Sequence, residues 1–301
     1  MIDKTQEYGL YGAMNVSNAR DTFLYKWQEF SVPVPEFQIV LGSGFGLALD
    51  SLSKEEWEAK GDILFSEIPG LSKSTAPDHA GCYRVIQHKK TGKSILAQMG
   101  RLHGYEGNSA KDVAQAVILP RIAGVKNFIL TNAAGALTLA FKPGDVMLLR
   151  DHVNLTGQNP LAGENPTYPD GKELGPRFPD LGNLYNRDLR NILRESFLKQ
   201  DLTVHEGVYL GVNGPSFETP AEVTLFSSWG LHAVGMSTVW EAIALKHSGA
   251  KVVALSLISN LGAGMSNETL DHFQILDTCR ASAAKVISGI FATIAKEINN
   301  A

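Results

Sequence analysis

The chain has 301 residues, of which 44% are hydrophobic and 19% charged, with a formal net charge of −4. This composition is typical of a globular protein of one or two domains with ample material for a core. The acidic balance argues against the basic surface that nucleic-acid binding normally requires. No window approaches the ~20 apolar residues of a membrane span, and Cys82 and Cys279 fit no metal or redox spacing. We therefore expect a soluble, cytoplasmic protein without nucleic-acid or membrane partners.

The first predicted elements are a helix and a buried strand that leads into a glycine-rich loop. Residues 1–20 are polar and contain glycine, which predicts a loose N-terminal extension before a domain spanning 21–301. Residues 21–30 have helical spacing, and Phe37–Leu41 is an apolar run typical of a buried strand. The loop Gly42-Ser43-Gly44-Phe45-Gly46 exposes backbone N–H groups that can bind a phosphate, although a tight turn explains it equally well.

A predicted β-hairpin ends in a basic pair of residues. Residues 83–87 and Ser94–Met99 are strand-like runs around a Lys-Thr-Gly-Lys turn. Arg101 and His103 follow the second strand at a spacing of two, so in an extended strand end they share a face and can clamp an oxyanion or a phosphate. The alternative is that Arg101 forms an ion pair with Glu106 and His103 has only a structural role.

The next strand ends in a run of small residues. Residues 110–123 predict an amphipathic helix, and residues 127–131 predict a strand that ends in Asn132-Ala133-Ala134-Gly135-Ala136. In open α/β sheets, ligands collect at the carboxyl ends of strands, and small residues allow close approach to the backbone. A strand at 145–149 precedes a Pro- and Gly-rich stretch at 156–184, whose length indicates a functional or interface element.

A later turn places an aromatic ring beside a carboxylate. Residues 208–212 predict a strand that ends in a Gly-Pro turn, before a helix capped by Ser216 or Thr219. Phe217 and Glu218 lie in this turn, where a flat heterocycle can stack on the ring while its N–H edge donates to the carboxylate. An equally good interpretation is that Glu218 is a solvated residue in the first turn of the helix, favoured there by the helix dipole.

The remaining elements complete an alternation of strands and helices. Strands are predicted at 233–238 and 251–259, and helices at 185–200, 222–229, 241–248 and 273–299. The strand at 251–259 ends at Asn260, again a polar residue at a strand end. The alternation continues with no break in composition, which predicts a single α/β domain with a central, twisted, mostly parallel or mixed sheet flanked by helices.

Six of these segments form an ordered set. They are Gly42-Ser43-Gly44, Gly100-Arg101-Leu102-His103-Gly104-Tyr105-Glu106-Gly107, Thr131-Asn132-Ala133-Ala134-Gly135, Gly214-Pro215-Ser216-Phe217-Glu218-Thr219, Gly235-Met236-Ser237-Thr238 and Ser259-Asn260. In this order the set resembles the purine nucleoside phosphorylases of the trimeric, 6-oxopurine-preferring type, from about Phe37 to the end of the last helix. Trp240 departs from the family, which often has proline there, and His272 lacks the acidic residues that commonly follow it.

The resemblance implies a nucleoside phosphorylase fold and roles for individual residues. Phosphate is expected to contact Ser43, His79, Arg101, His103, Ser237 and the backbone at Ala133. Ribose is expected to contact Tyr105, Tyr209, Met236, His272 and, from a neighbouring subunit, Phe178. The base is expected to contact Ala134, Gly135, Phe217, Glu218, Gly235 and Asn260. The resemblance assigns catalysis to Asn260, Glu218 and His103.

By the same resemblance, the expected activity is the reversible, phosphate-dependent cleavage of the N-glycosidic bond of inosine, guanosine and their deoxy forms, in purine salvage. Inorganic phosphate is then a co-substrate, no cofactor or metal is expected, and the role of Phe178 implies a homotrimer. Glu218 accepts from N1–H, which hypoxanthine and guanine have and neutral adenine lacks. Because an unpaired buried polar group is costly, we expect inosine and guanosine to be preferred over adenosine.

Other functions are compatible with the same fold. A methylthioadenosine-type phosphorylase is expected to carry an acid where Asn260 stands, and a nucleoside hydrolase does not need Arg101 and His103 as an anion clamp. A non-catalytic nucleotide-binding module would use the glycine-rich loops without turnover. Base release with and without phosphate separates these alternatives.

Overall fold

A nine-stranded β-sheet forms the centre of the computed structural model, which describes residues 10–11, 14–75, 80–266 and 272–300. A short antiparallel hairpin of β1 (Leu10–Tyr11) and β2 (Met14–Asn15) precedes the sheet in the chain. The strands of the sheet are β3 (Phe37–Leu41), β4 (Trp57–Leu64), β5 (Cys82–His88), β6 (Ser94–Met99), β7 (Asn127–Ala136), β8 (Val146–Asn154), β9 (Val204–Gly211), β10 (Ala233–Gly235) and β11 (Lys251–Leu261).

The sheet is mixed and partly closed on itself. Its order is β10-β9-β8-β11-β7-β3-β6-β5-β4. The pairs β10–β9, β9–β8, β11–β7, β7–β3 and β3–β6 are parallel, whereas β8–β11, β6–β5 and β5–β4 are antiparallel. β10 also pairs with β7 in antiparallel fashion, with Val234 opposite Gly135, which joins five strands into a ring. The prediction of a single α/β domain with a mixed sheet is confirmed.

Six helices flank the sheet in the described part of the chain. They are α1 (Val16–Gln28), α2 (Ala110–Ile122), α3 (Arg187–Leu198), α4 (Pro220–Ser228), α5 (Val239–His247) and α6 (His272–Asn300). The capping box predicted for α4 is present: the Thr219 side chain accepts from the backbone N–H of Glu222, and the Glu222 carboxylate accepts from the backbone N–H of Thr219 at 2.8 Å. Thr219, not Ser216, is therefore the residue that starts α4.

The hydrophobic core lies on both faces of the sheet, as β11 illustrates. Val253 and Leu255 belong to one buried cluster together with residues of α3 and α6. Their neighbours Val252 and Ala254 belong to a second cluster together with residues of α2 and α5. Because successive strand residues face opposite sides, an apolar run such as β11 requires helices on both faces. The result is a three-layer arrangement of helices, sheet and helices.

Two regions differ from the sequence prediction. The N-terminal extension predicted for 1–20 is not loose where the structure describes it: Tyr11, Met14 and Val16 are buried in a third apolar cluster, and α1 starts at Val16 with Asn15 as its cap. Edge strand β4 is not predicted, because a bulge between Ala59 and Gly61 and exposed polar side chains hide its alternation. No helix in the described ranges is long and apolar enough to cross a bilayer.

Candidate active site

A cavity of ≈ 350 Å³ opens where several strand ends meet. The loops after β3 and β6, the last residues of β7 and β11, and the segments that follow β9 and β10 form its wall. Most of the predicted site residues line it, namely Ser43, Arg101, His103, Tyr105, Ala133, Ala134, Gly135, Phe217, Glu218, Gly235, Met236, Ser237 and Asn260. Asn132, Pro215, Val234 and Ser259 line it as well. Arg101 and Asn260 thus share one cavity, as the sequence analysis requires.

Four predicted residues are not part of this wall as the structure describes it. His79 lies outside the described residues, and His272 begins α6 with a side chain that is also outside them. Phe178 is 88% exposed on the surface. Tyr209 is fully buried and does not line the cavity, because its hydroxyl lies behind Gly235, where an added Cβ would be 2.5 Å from it. The expected direct contact of Tyr209 with ribose therefore does not follow from the cavity wall and stays a prediction.

The buried guanidinium of Arg101 defines one end of the cavity. Its Nη1 donates to the carbonyl oxygen of Thr131 at 2.6 Å and to the Ser237 hydroxyl at 3.3 Å. Its Nε donates to Oε1 of Glu241 at 3.3 Å, and both side chains of this ion pair are 1% exposed. The alternative pairing of Arg101 with Glu106 is wrong, since Glu106 bonds elsewhere. A cation fixed in this way is suited to binding an anion.

His103 lies beside Arg101 and is oriented by Glu106. Nδ1 of His103 is 2.9 Å from Oε1 of Glu106, and the amide and hydroxyl of Thr75 donate to Oε2 at 2.5 and 2.7 Å. Burial lowers the pKa of His103. Burial acts to raise the pKa of Glu106, but the hydrogen bonds from His103 and Thr75 outweigh it and lower the pKa to about 2. Because a carboxylate only accepts, Nδ1 of the neutral imidazole carries the hydrogen.

A strained residue holds Ser237 next to Arg101. Thr238 has φ 76°, a positive backbone angle that side-chain-bearing residues rarely adopt. Its hydroxyl accepts from Nδ2 of Asn132 at 2.8 Å, and Asn132 is itself buried. Thr238 is also the residue that precedes α5, so the positive end of that helix faces the same end of the cavity as the guanidinium.

The opposite end of the cavity presents an amide. β11 has a register shift between Ile258 and Asn260 against β7, which leaves Ser259 as the extra residue. The Ser259 hydroxyl donates to Oδ1 of Asn260 at 2.6 Å, and Nδ2 of Asn260 donates to the Leu261 carbonyl at 2.8 Å. An amide nitrogen has two hydrogens, so Nδ2 keeps a second donor. Gly135 faces this amide, since a Cβ there would lie 3.3 Å from Nδ2.

Phe217 and Glu218 complete the amide end. The Phe217 ring is 42% exposed and lines the cavity with Glu218. Burial raises the pKa of Glu218 above the ordinary value for a glutamate, and the negative charge of nearby Glu222 raises this pKa further. Glu218 is therefore a partly desolvated carboxylate at a ligand-sized cavity, and the alternative of a freely solvated helix residue does not describe it.

Sequence reasoning missed the residues that hold the site in place. Asn132, Glu241 and Ser259 act on Thr238, Arg101 and Asn260 through side-chain contacts. A signal for Glu241 existed, because it is the only charged residue in the apolar run 239–245. Among the described residues, no group of three or more His, Cys, Asp or Glu side chains could hold a metal ion.

Comparisons with known proteins identify relatives over nearly the whole chain. The family described as the phosphorylase superfamily matches residues 38–295. Purine nucleoside phosphorylase 1 of Geobacillus stearothermophilus is 37% identical over 265 residues, which cover 87% of this chain and 92% of the relative. A schistosome purine nucleoside phosphorylase in complex with hypoxanthine superposes with a TM-score of 0.77 at 31% identity, covering 91% and 96% of the two chains. The Schistosoma mansoni purine nucleoside phosphorylase in complex with adenosine superposes with a TM-score of 0.78 at 31% identity, covering 92% of this chain and 96% of the other.

The close contact at Gly42 gives a test of the anion end. A Cβ at position 42 would lie 2.7 Å from the Thr131 carbonyl oxygen and 2.9 Å from Nη1 of Arg101, so Gly42→Ala must displace the guanidinium. We expect the variant to bind inorganic phosphate about tenfold more weakly, because a misplaced guanidinium loses a charge-assisted hydrogen bond. The phosphate-dependent rise in melting temperature measures this. Exposed Gly182→Ala serves as the control, and unchanged phosphate binding in folded Gly42→Ala would contradict the assignment.

Proposed function

The chain belongs to the purine nucleoside phosphorylases of the phosphorylase superfamily, and on this premise we propose in detail how its residues act. The enzyme is a pentosyltransferase that cleaves the N-glycosidic bond of inosine, guanosine and their deoxy forms with phosphate. The products are the free base and the (deoxy)ribose 1-phosphate, and the reaction is reversible and serves purine salvage. The observation that carries the proposal is the single cavity with Arg101 at one end and Asn260 with Glu218 at the other.

The anion end binds phosphate, which is the co-substrate. Arg101, Ser43 and Ser237 donate hydrogen bonds to it, with the backbone at Ala133 and the side chains of His103 and His79. As the glycosidic bond breaks, the sugar becomes cationic, and a phosphate held beneath it stabilises that charge electrostatically. The chemistry then needs no cofactor, since a fixed anion and a polarised leaving group supply the required charge.

The amide end binds the purine. Phe217 stacks on the ring, while Ala134, Gly135 and Gly235 leave room for its plane. The free hydrogen of Asn260 Nδ2 donates to N7 as electron density moves from the bond into the ring. The Glu218 carboxylate accepts from N1–H of hypoxanthine or guanine. Neutral adenine has a lone pair at that position, so it faces the carboxylate without a hydrogen bond.

The sugar lies between the two ends. Tyr105 and Met236, which line the cavity, are assigned to the ribose ring, and His272 is assigned to the 5′-hydroxyl. Phe178 of a neighbouring subunit closes the pocket, in keeping with the homotrimer that the family resemblance implies, and we place the enzyme in the cytoplasm. The exposure of the Phe178 ring, with the Arg177 guanidinium 5.6 Å from its centroid, supports a role away from its own cavity.

A substrate panel tests the proposed reaction. With phosphate present, we expect release of hypoxanthine from inosine and of guanine from guanosine, and at least ~10³-fold lower kcat/KM for adenosine because Glu218 is left unpaired. Without phosphate, base release should be absent. Phosphate-independent release would instead indicate a hydrolase, adenosine as the better substrate would indicate a 6-aminopurine enzyme, and no turnover would indicate a binding module.

The raised pKa of Glu218 predicts a pH dependence of base binding. Only the ionised carboxylate accepts from N1–H, so hypoxanthine affinity should fall as the pH drops through a value above the ordinary pKa of glutamate. In Glu218→Gln, hypoxanthine should bind at least about tenfold more weakly at neutral pH and show no such fall. Calorimetric titration without phosphate avoids ionisation of the co-substrate. The same acidic fall in both proteins would refute the role of Glu218.

The role of Phe178 is tested by kinetics and mass together. Light scattering should give about three times the 32.6 kDa chain mass. Phe178→Ala should raise the KM for inosine about tenfold through lost stacking and packing area, with hypoxanthine binding unchanged. Leu139→Ala, at a residue 71% exposed, is the matched surface control. A monomeric enzyme, or an unchanged KM in Phe178→Ala, would argue against a neighbour's contribution.

A further inference from the structure

Glu241 is a carboxylate in an unusual place. It is fully buried in the first turn of α5, and its neighbours Val239, Trp240, Ala242 and Ile243 are buried apolar residues. Taking a carboxylate out of water is costly unless a cation and hydrogen-bond donors compensate it. A buried carboxylate in an apolar helix face therefore indicates a role other than packing.

The compensation for Glu241 comes from the anion end of the cavity. Its Oε1 accepts from Nε of Arg101 at 3.3 Å, while Oε2 has no hydrogen-bond partner among the described residues. The position in the first helical turn adds the favourable field of the helix dipole. Glu241 does not line the cavity, so its effect on a bound ligand passes through Arg101.

Two of the contacts that Arg101 makes with protein acceptors hold its guanidinium at different edges. The Thr131 carbonyl oxygen accepts from Nη1, and the Glu241 carboxylate accepts from Nε on another edge of the same plane. A planar group held at two edges has little freedom to rotate, so its remaining donors point in a set direction. A neutral acceptor such as the Thr131 carbonyl oxygen is sufficient to orient a guanidinium, so the charge on Glu241 calls for a separate explanation.

We propose that Glu241 is a positioning residue that orients Arg101 and also offsets its positive charge, so that phosphate and its esterified product bind reversibly. Without this carboxylate, the guanidinium in a low-dielectric cavity would attract a dianion more strongly and release it more slowly. With the carboxylate, Arg101 is shared between two anions when phosphate is present. The proposal rests on the phosphorylase function proposed above, and it concerns charge balance rather than contact with the substrate.

Two substitutions separate orientation from charge. Glu241→Gln keeps an acceptor for Arg101 Nε and removes the charge, so phosphate should bind about tenfold more tightly, with a lower KM for phosphate and a lower kcat. Glu241→Ala removes both the acceptor and the charge, so the guanidinium loses its orientation and phosphate should bind at least about tenfold more weakly. Hypoxanthine binding should stay unchanged in both variants. Glu206→Gln, which removes the carboxylate of the partly exposed Arg190 pair, is the matched control.

Phosphate affinity is measured by thermal shift with inorganic phosphate, alongside inosine kinetics. Weaker or unchanged phosphate binding in Glu241→Gln would overturn the charge role. Equal losses of phosphate and hypoxanthine binding in both variants would reduce Glu241 to a structural residue and would also overturn the proposal. If Glu241→Ala does not fold, the direction of change in Glu241→Gln decides alone. Absence of phosphate-dependent turnover in the wild type would refute the function, whereas the phosphate-binding comparison still tests Glu241.

Discussion

Arg101 is a cation held almost entirely out of water. The order of β6, β3 and β7 provides the contacts and the space that its guanidinium needs. Its acceptors include the Thr131 carbonyl at β7 and the carboxylate at the start of α5. β3 lies between β6 and β7 in the sheet, so the guanidinium passes over the end of β3. Gly42 stands at that point, where a side chain would collide with Nη1. The buried charge thus lies over a parallel β6-β3-β7 order, and it requires a residue without a side chain directly after the middle strand.

The two ends of the cavity are linked by a single strand. β7 carries Thr131 at the anion end and Gly135 at the amide end, so their separation is roughly 13 Å, the rise of four strand residues. The antiparallel pairing of Val234 with Gly135 closes the strand ring and brings Gly235 and Ser237 against the same segment. Because hydrogen-bonded strands are stiff, the donors at the two ends keep a fixed spacing without a ligand.

The sequence was informative where chemistry is local and uninformative where it depends on distant packing. The bounds of β3 and β6 and the cap of α4 follow from short patterns, and the structure reproduces them. Family likeness located most cavity residues, but it could not show that Tyr209 lies behind Gly235, because that depends on how β9 and β10 pair. The partner of Arg101 was also missed, since Glu241 is 140 residues away in the chain.

The extra residue in β11 has a consequence for how base preference can change. Side chains alternate across a strand, so losing or gaining one position upstream of Asn260 would turn its amide to the opposite face. The extra residue at Ser259 therefore determines which face of the strand the side chain of Asn260 occupies. In the proposed function, substitutions at position 260 can change base preference only while this side chain keeps its face of the strand. Insertions and deletions in β11 should consequently be much rarer among functional descendants of this chain than point changes at the same strand.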